Sequence, residues 1–139
     1  MTRVVVDTNV LVSALVRGGK PRRLVLELLD DHSLLLSAQM LAELVEVLSR
    51  QKFRLVGRGR IDRFVSGLIR ESEISTVRSH LEVVEQDQDD NTVLATAHDG
   101  NADYVVTGDK HLLVLRQFKG IRIVKVTEML EVLLKESKG

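Results

Sequence analysis

The sequence predicts an α/β fold, a three-layer α/β/α domain built on a doubly wound, mainly parallel sheet of about five strands. Short continuous apolar runs such as VVV and YVV are typical of strands buried on both faces of a parallel sheet. Between them lie segments whose apolar residues recur at helical spacing, so strands and helices alternate with short connections. No linker rich in Pro, Gly or Ser interrupts the chain, so residues 1–139 are expected to form a single domain.

The first half of the chain shows this alternation most clearly. Residues 3–6 (RVVV) form a short β-branched run that predicts a buried strand. Pro21 suits the first turn of a helix, and the apolar residues after it recur at helical spacing. A second strand is predicted at 32–37, where Ser37 can cap a helix over 38–50. This strand–helix–strand order is the one that parallel pairing requires.

In the second half, glycines and capping residues set the predicted boundaries. A break at Arg58–Gly59 precedes one helix, Gly100 ends the next, and Gly120 separates a helix from the last strand. The predicted elements are a helix at 61–72, a weaker strand candidate at 73–77, a helix from near Asn91, a strand at 104–109, a helix at 111–118, a strand at 121–126 and a terminal helix capped by Thr127.

The composition excludes several function classes. Cysteine is absent, which rules out disulfides, thiolate metal sites and a cysteine nucleophile. The apolar runs are short and broken by charge, and the start of the chain lacks the pattern of a signal peptide. These features fit a reducing compartment, and a cytoplasmic location is expected.

The charges of the chain cancel in total but are segregated along it. The sequence has 20 basic and 20 acidic residues. Residues 17–23 and 50–63 are strongly basic, whereas residues 82–90 carry five acids and no base. A polyanion would be drawn to the first two segments and a cation to the third, although solvated helix faces explain each segment taken alone. Because aromatic residues are scarce, any nucleic-acid contact is expected to be mainly to phosphates.

Four acids fall where one edge of the predicted sheet would gather them. Asp7 directly follows the first strand, and Asp109 directly follows YVVTG. Asp90 lies at the start of the helix that feeds the second of these strands, and Glu43 lies in the second turn of the helix after strand two. In a doubly wound sheet, ligands bind beyond the carboxyl ends of the strands, so the four carboxylates are expected to converge there.

Such a cluster favours a divalent cation. Like charges raise one another's pKa, and a bound cation reverses that cost. Oxygen ligands suit Mg²⁺ or Mn²⁺, and the absence of His or Cys at matching positions argues against Zn²⁺. Each acid alone also fits a helix cap, a solvated position or a turn, so the joint pattern carries the argument. The histidines are interpreted as surface or edge residues: His32, His80, His98 and His111.

Four motifs together resemble a known family. DTNVLVSAL, LAELVEVLSR, DQDDNTVLATA and ADYVVTGDKHLL, in this order and spacing, are similar to the PIN domain, and in particular to the bacterial and archaeal toxin components of toxin–antitoxin pairs, the VapC-like ribonucleases. The resemblance extends from Val4 to about Leu130. One departure is Gln88, where this branch often has proline, which affects the stiffness of the loop and leaves the acids intact.

The resemblance implies a metal-dependent endoribonuclease in which a metal-activated water attacks the phosphodiester bond. It implies that Asp7, Glu43, Asp90 and Asp109 are catalytic and hold one or two Mg²⁺ or Mn²⁺ ions. It also implies that Asn9 and Thr107 orient these carboxylates. The expected partners are RNA, an antitoxin protein and a second copy of the chain. The RNA backbone would be held by the basic segments, with candidates Arg17, Arg22, Arg50, Lys52 and Arg54.

Two other interpretations stay open at the level of sequence. A haloacid-dehalogenase-like phosphatase also places an Asp after its first strand, but it needs a second Asp two residues on, where this chain has Asn9. A non-catalytic PIN-like module would bind RNA or a partner without cutting, which the intact set of acids argues against. A divalent-ion titration of RNA turnover separates this module from the enzyme.

Overall fold

A six-stranded, mostly parallel sheet forms the centre of the molecule. In this computed structural model, residues 1–81, 83 and 88–138 are described. The strand order is β3-β2-β1-β4-β6-β5, and only the β5–β6 pair is antiparallel. The predicted α/β class is thereby confirmed, with one strand more than expected. The strands are β1 (Arg3–Val6), β2 (Ser33–Ser37), β3 (Glu73–Ser75), β4 (Tyr104–Val106), β5 (Gln117–Phe118) and β6 (Ile121–Val124).

Helices connect the strands and cover the sheet. They are α1 (Thr8–Val16), α2 (Gly19–Asp31), α3 (Ala38–Leu48), α4 (Arg58–Glu71), α5 (Gln88–Asp99), α6 (Lys110–Leu113) and α7 (Val126–Lys138). Helix α5 packs on β1, β2 and β4, whereas α1 packs on α2 and α3, and α2 packs on α7. The chain runs outward from β1 to β3 and then returns through α5, so right-handed crossovers put α5 on the opposite face from the earlier helices. No helix in the described part of the chain is long and apolar enough to cross a membrane.

The centre of the sheet is also its topological switch point. Strand β1 pairs with β2 on one side and with β4 on the other. Val4, Val5 and Val6 are fully buried, and the backbone N–H of Asp7 donates to the carbonyl of Val106 over 2.9 Å. The carboxyl ends of β1 and β4 therefore lie side by side, at the place where doubly wound folds form their binding crevice.

Several element boundaries differ from the predicted ones. Helix α4 begins at Arg58 rather than at 61, and a 3₁₀ helix over Gln51–Val56, which the sequence pattern did not reveal, precedes it. Helix α5 already begins at Gln88, so Asp90 lies inside its first turn. Helix α7 begins at Val126, so Thr127 is a helical residue and not its cap. Of the acidic segment, Glu82, Glu85 and Asp87 lie outside the described residues.

The predicted helix at 111–118 is wrong beyond its first turn. Helix α6 ends at Leu113, and the chain then turns through Arg116, whose φ is +62°. Residues 117–118 form β5, which pairs with β6 across a two-residue turn. Lys119 and Gly120 both have positive φ, +50° and +83°, which is the signature of a type I′ hairpin turn. The apolar residues of this segment are consecutive and fit a short strand as well as a helix. The hairpin turn at Lys119 and Gly120 favours the strand.

The carboxylate of Asp99 ties the loop after β3 to the end of α5. It accepts hydrogen bonds from the backbone N–H of Arg78 at 2.8 Å and of Ser79 at 2.9 Å, and from the Ser79 hydroxyl. The Ser79 hydroxyl and these backbone N–H groups lower the pKa of Asp99. A lowered pKa means that the contact stabilises the fold above the unfolded pKa, near 3.8, and that this gain is lost as the pH falls through the folded pKa.

Asp99→Asn is therefore expected to lower the Tm at pH 7 by a few degrees, because an amide presents a donor to groups that are themselves donors. The difference from the wild type should shrink as the pH falls below 3.8 through the folded pKa of Asp99, because the carboxyl then takes up a proton and loses its charge. Thermal unfolding followed by circular dichroism at a series of pH values measures this. Asp30→Asn, at an exposed carboxylate of α2, is the matched control. A difference independent of pH would contradict the explanation.

Candidate active site

Asp7 stands at the entrance of the crevice with its side chain only 8% exposed. Its carbonyl accepts the first helical bonds of α1, from Val10 and Leu11 at 3.0 and 3.1 Å, while its carboxylate makes no capping bond. These are ordinary helical bonds, so the carboxylate of Asp7 does not form the side-chain cap that sequence analysis offered as an alternative role, although the N–H groups of Thr8 and Asn9 act to lower its pKa.

Thr107 connects two of the predicted acids. Its hydroxyl donates to Asp7 Oδ2 over 2.6 Å and accepts the backbone N–H of Asp109 at 3.0 Å. Thr107 is 1% exposed, and its own N–H donates to the carbonyl of Val124 at 3.0 Å. Because a hydroxyl carries one proton, accepting from Asp109 directs that proton to Asp7. Thr107 therefore holds the carboxylate of Asp7 and the backbone that carries Asp109 in one network.

The electrostatic state of Asp7 reflects this crowding. Burial raises the pKa of the Asp7 carboxyl, and the charge of Asp109 raises it further. The hydrogen bond from Thr107 and the backbone N–H groups of Asn9 and Thr8 act in the opposite direction. The protein therefore holds a carboxylate where ionisation is costly, which is the arrangement that a bound cation would stabilise.

Asp90, Asp109 and His111 form the tightest group of candidate ligands. One ligand atom from each lies within 4.8 Å of the other two. Asp90 is 4% exposed, and Asp109 caps α6 by accepting the His111 N–H at 2.7 Å. His111 is a surface residue, as predicted, since its side chain is 75% exposed. Its Nδ1 also lies 3.4 Å from Asp109 Oδ1, which the sequence did not predict.

Glu43 and Asn9 lie beside this group, on the wall of a groove. Among the described residues, neither Asp7 nor Glu43 joins a set of three ligand atoms that all lie within 4.8 Å of one another. The groove has a volume of about 830 Å³, and Glu43, Asn9 and Asp89 contribute polar groups to it. The side chain of Asn9 is exposed, and Asn9 affects Asp7 through its backbone N–H, which lowers the pKa of the Asp7 carboxyl. The two residues predicted to orient the carboxylates therefore differ in position. Thr107 belongs to the hydrogen-bond network of Asp7 and Asp109, whereas Asn9 lines the groove.

Part of the predicted basic set lines the same groove. Arg17, Arg50 and Lys52 line it, and so does Arg60, which sequence analysis did not single out. We call this groove, which Arg17, Arg50, Lys52 and Arg60 line, the basic groove. Arg60 reaches it because its guanidinium donates to the carbonyl of Leu15 at 3.2 Å, which fixes α4 against the end of α1. No periodicity in the sequence predicts this contact, since it depends on the unpredicted 3₁₀ helix that redirects the chain.

Two further predicted residues lie elsewhere. Arg54 is exposed on the 3₁₀ helix and does not line the groove as described. The guanidinium of Arg22 donates to the carbonyls of Ala14 and Leu15, both at 2.9 Å. Arg22 therefore satisfies the carboxyl end of α1, a structural task typical of arginine at a helix terminus.

The donor set fits a hard divalent cation. The carboxylates of Asp90 and Asp109 lie within 4.8 Å of each other, and the charge of Asp109 acts on Asp7; oxygen donors of this kind suit Mg²⁺ and Mn²⁺. The imidazole of His111 adds a nitrogen donor at the exposed side, so the argument against Zn²⁺ from the absence of a histidine is wrong; of the two predicted ions, Mn²⁺ suits this donor better than Mg²⁺. With a divalent cation bound, such a site could bind and neutralise a phosphate.

The mostly parallel sheet with its helices matches the fold of the PIN domain. The sequence profile of that domain matches residues 3–111, and the chain belongs to this family, whose members are generally nucleases. Among solved structures, the chain is similar to one from the crystal structure of VapBC2 from Rickettsia felis bound to a DNA fragment from their promoter. The TM-score is 0.65 at 19% identity, over 89% of this chain and 98% of that one. Comparison with curated proteins finds no match.

Proposed function

We propose that this protein is a single-domain, Mg²⁺- or Mn²⁺-dependent endoribonuclease that hydrolyses RNA phosphodiester bonds. The observation that supports the proposal is the approach of Asp90 to Asp109 within 4.8 Å, together with the effect of the Asp109 charge on the buried Asp7. These acids come from three different elements, so no local cap or turn requires all three to be there. Membership of the PIN-domain family supports the nuclease class.

The roles of the acids follow from their burial and contacts. Asp90 and Asp109 would hold the cation most closely, with Asp7 as a third ligand and Glu43 completing the site directly or through water. When bound, the cation supplies an activated water and neutralises charge on the phosphate. Thr107 keeps Asp7 and Asp109 in position, so that the ligands are arranged before the cation arrives.

The basic groove would hold the RNA next to these acids. Arg17, Arg50, Lys52 and Arg60 line one continuous cavity together with Glu43. Arginine and lysine bind phosphates without reading sequence, so this surface provides affinity rather than base specificity. The ion pair of Arg50 with the exposed Glu46, at 2.9 Å, leaves guanidinium donors for a phosphate.

We also propose that the chain is the toxin of a type II toxin–antitoxin pair acting in the cytoplasm. Support comes from the fold likeness to a chain of the VapBC2 structure, which is a complex bound to a fragment of promoter DNA. An antitoxin segment would cover the basic groove, whose apolar residues Val16 and Leu55 are 37% and 92% exposed. A homodimer follows from the family resemblance. Co-purification with the product of an adjacent reading frame tests the antitoxin, and sedimentation tests the dimer.

Cleavage of single-stranded RNA should require Mn²⁺ or Mg²⁺ and stop on addition of a chelator. Asp90→Asn should lower kcat/KM by more than about 100-fold, which exceeds the 10- to 100-fold cost of losing an outer partner of a metal ligand. The measurement is gel analysis of a labelled RNA pool after incubation with each cation.

The matched control is Asp30→Asn, which removes an exposed carboxylate far from the crevice and should cleave like the wild type. Retention of the far-ultraviolet circular dichroism spectrum shows that Asp90→Asn is folded. Cleavage that persists in chelator, or that survives Asp90→Asn, would overturn the nuclease proposal. Binding of RNA without turnover under any divalent cation would identify the non-catalytic module instead.

A further inference from the structure

A second cavity meets the basic groove at Asn9 and Ser13. These two residues line both cavities, but the second one extends towards the loop after β4 and the start of α7. Its volume is about 300 Å³, at the lower end of the range of about 300–1,000 Å³ that ligand pockets span. We call it the lysine pocket, and its lining residues are Asn9, Val10, Ser13, Pro21, Thr107, Gly108, Lys125, Val126 and Thr127.

Both the lysine pocket and the basic groove contain residues next to the acids. Thr107, which binds Asp7, lines the pocket, and so does Gly108, which directly precedes Asp109. Glu43 lines the groove. A strand running from the groove into the pocket would cross Asn9 and Ser13, where the cavities meet, and would pass Thr107, whose hydroxyl binds the Asp7 carboxylate.

The chemistry of the lysine pocket suits a nucleotide. Val10, Pro21 and Val126 offer apolar surface to a ribose or a base, and the hydroxyls of Ser13 and Thr127 offer hydrogen bonds. Lys125 is exposed and makes no ion pair with any residue in the described ranges, so its ammonium is available to a phosphate. Lys125 differs from a solvated surface lysine because apolar residues line the pocket beside it, and these residues would fix the position of a bound nucleotide.

We propose that the lysine pocket is a second RNA subsite, which holds the nucleotide on the opposite side of the cleaved bond from the basic groove. The proposal rests on the proposed ribonuclease function and adds to it. It makes the substrate a single strand that fills both cavities, with Lys125 bound to a phosphate on one side of the cut and Arg17 on the other. Short RNAs that fill one cavity only are then poorer substrates.

The test combines charge reversal with shortened substrates. An RNA cut at one position by the wild type is prepared in full length and in two forms. Each form keeps, on one side of the cut, a single nucleoside without a terminal phosphate, so that no phosphate remains there for Lys125 or for Arg17 to bind. On the full-length RNA, Lys125→Glu and Arg17→Glu should each lower kcat/KM by about fivefold or more. Lys135→Glu, the same charge change near the far end of α7, is the matched control and should behave like the wild type.

The shortened RNAs decide between one site and two. On the RNA shortened on the side of the lysine pocket, Lys125→Glu should have the same kcat/KM as the wild type, whereas Arg17→Glu should still have a lower one. On the RNA shortened on the side of the basic groove, the two variants should exchange these results. Equal kcat/KM for Lys125→Glu and Lys135→Glu on full-length RNA would overturn the subsite alone. A Lys125→Glu loss that fails to vanish on one and only one shortened RNA would overturn it as well. If the wild type cuts no RNA at all, the ribonuclease proposal fails and the subsite fails with it.

Discussion

Asp7→Asn is expected to abolish RNA cleavage and at the same time to raise the Tm of the metal-free protein at pH 7. The two effects have one cause. Asp7 is buried and faces the charge of Asp109, and both raise the pKa of its carboxyl. An ionised Asp7 therefore destabilises the fold, and asparagine removes that charge while its amide oxygen can still accept the hydrogen bond from Thr107.

The pH dependence gives the sign of this effect. A raised pKa means that the folded protein binds a proton which the unfolded chain has already released, so stability is lost as the pH rises from near 3.8 through the folded pKa. The advantage of Asp7→Asn is thus greatest above the folded pKa of Asp7 and should disappear as the pH falls towards 3.8. We expect a rise in Tm of a few degrees, measured by thermal unfolding in the presence of a chelator.

A divalent cation should reverse the order of the two proteins. At about 100 times its Kd, a ligand that binds only the folded state adds about 2.7 kcal/mol, and the wild type should gain this on addition of Mn²⁺. Asp7→Asn loses one of three approaching carboxylates and should gain far less, while its kcat/KM falls by more than about 100-fold. A wild type that is more stable than Asp7→Asn in chelator at pH 7 would show that ionised Asp7 is not the source of strain.

The positions of Asp7 and Asp109 could be predicted because a continuous apolar strand has a definite end, and parallel strands end at the same edge. Asp90 could be placed near them because it lies at the start of the helix leading into β4. These features are local in the sequence and depend on strand and helix periods alone.

His111 and Arg60 could not be predicted because their places depend on tertiary geometry. His111 comes beside Asp109 through the cap of α6, a helix of a single turn that periodicity cannot resolve from the predicted longer one. Arg60 enters the groove because a 3₁₀ segment redirects the chain before α4. The β5–β6 hairpin could not be predicted either, because Lys119 adopts a positive φ, which is uncommon for lysine.

Thr107→Val should weaken both the fold and the catalysis, because the threonine hydroxyl serves two acids with one proton. Valine has nearly the same shape but leaves Asp7 Oδ2 without its donor and the Asp109 N–H without its acceptor. Leaving such buried groups unsatisfied costs about 1–3 kcal/mol, so the Tm should fall by several degrees. Losing the group that positions a metal ligand should lower kcat/KM by about 10- to 100-fold.

The matched variant Thr107→Ser separates the hydroxyl from the packing. Serine keeps the hydroxyl and loses one buried methyl, which costs about 0.8 kcal/mol in transfer free energy. It should therefore lose some stability and keep most of its activity, whereas valine should lose both. Without the hydrogen bond that lowers the pKa of Asp7, the acid limb of the pH–rate profile of Thr107→Val should also move to higher pH. If serine loses as much activity as valine with no such shift, the role of Thr107 is to fill space, and the acids are positioned by the strand ends alone.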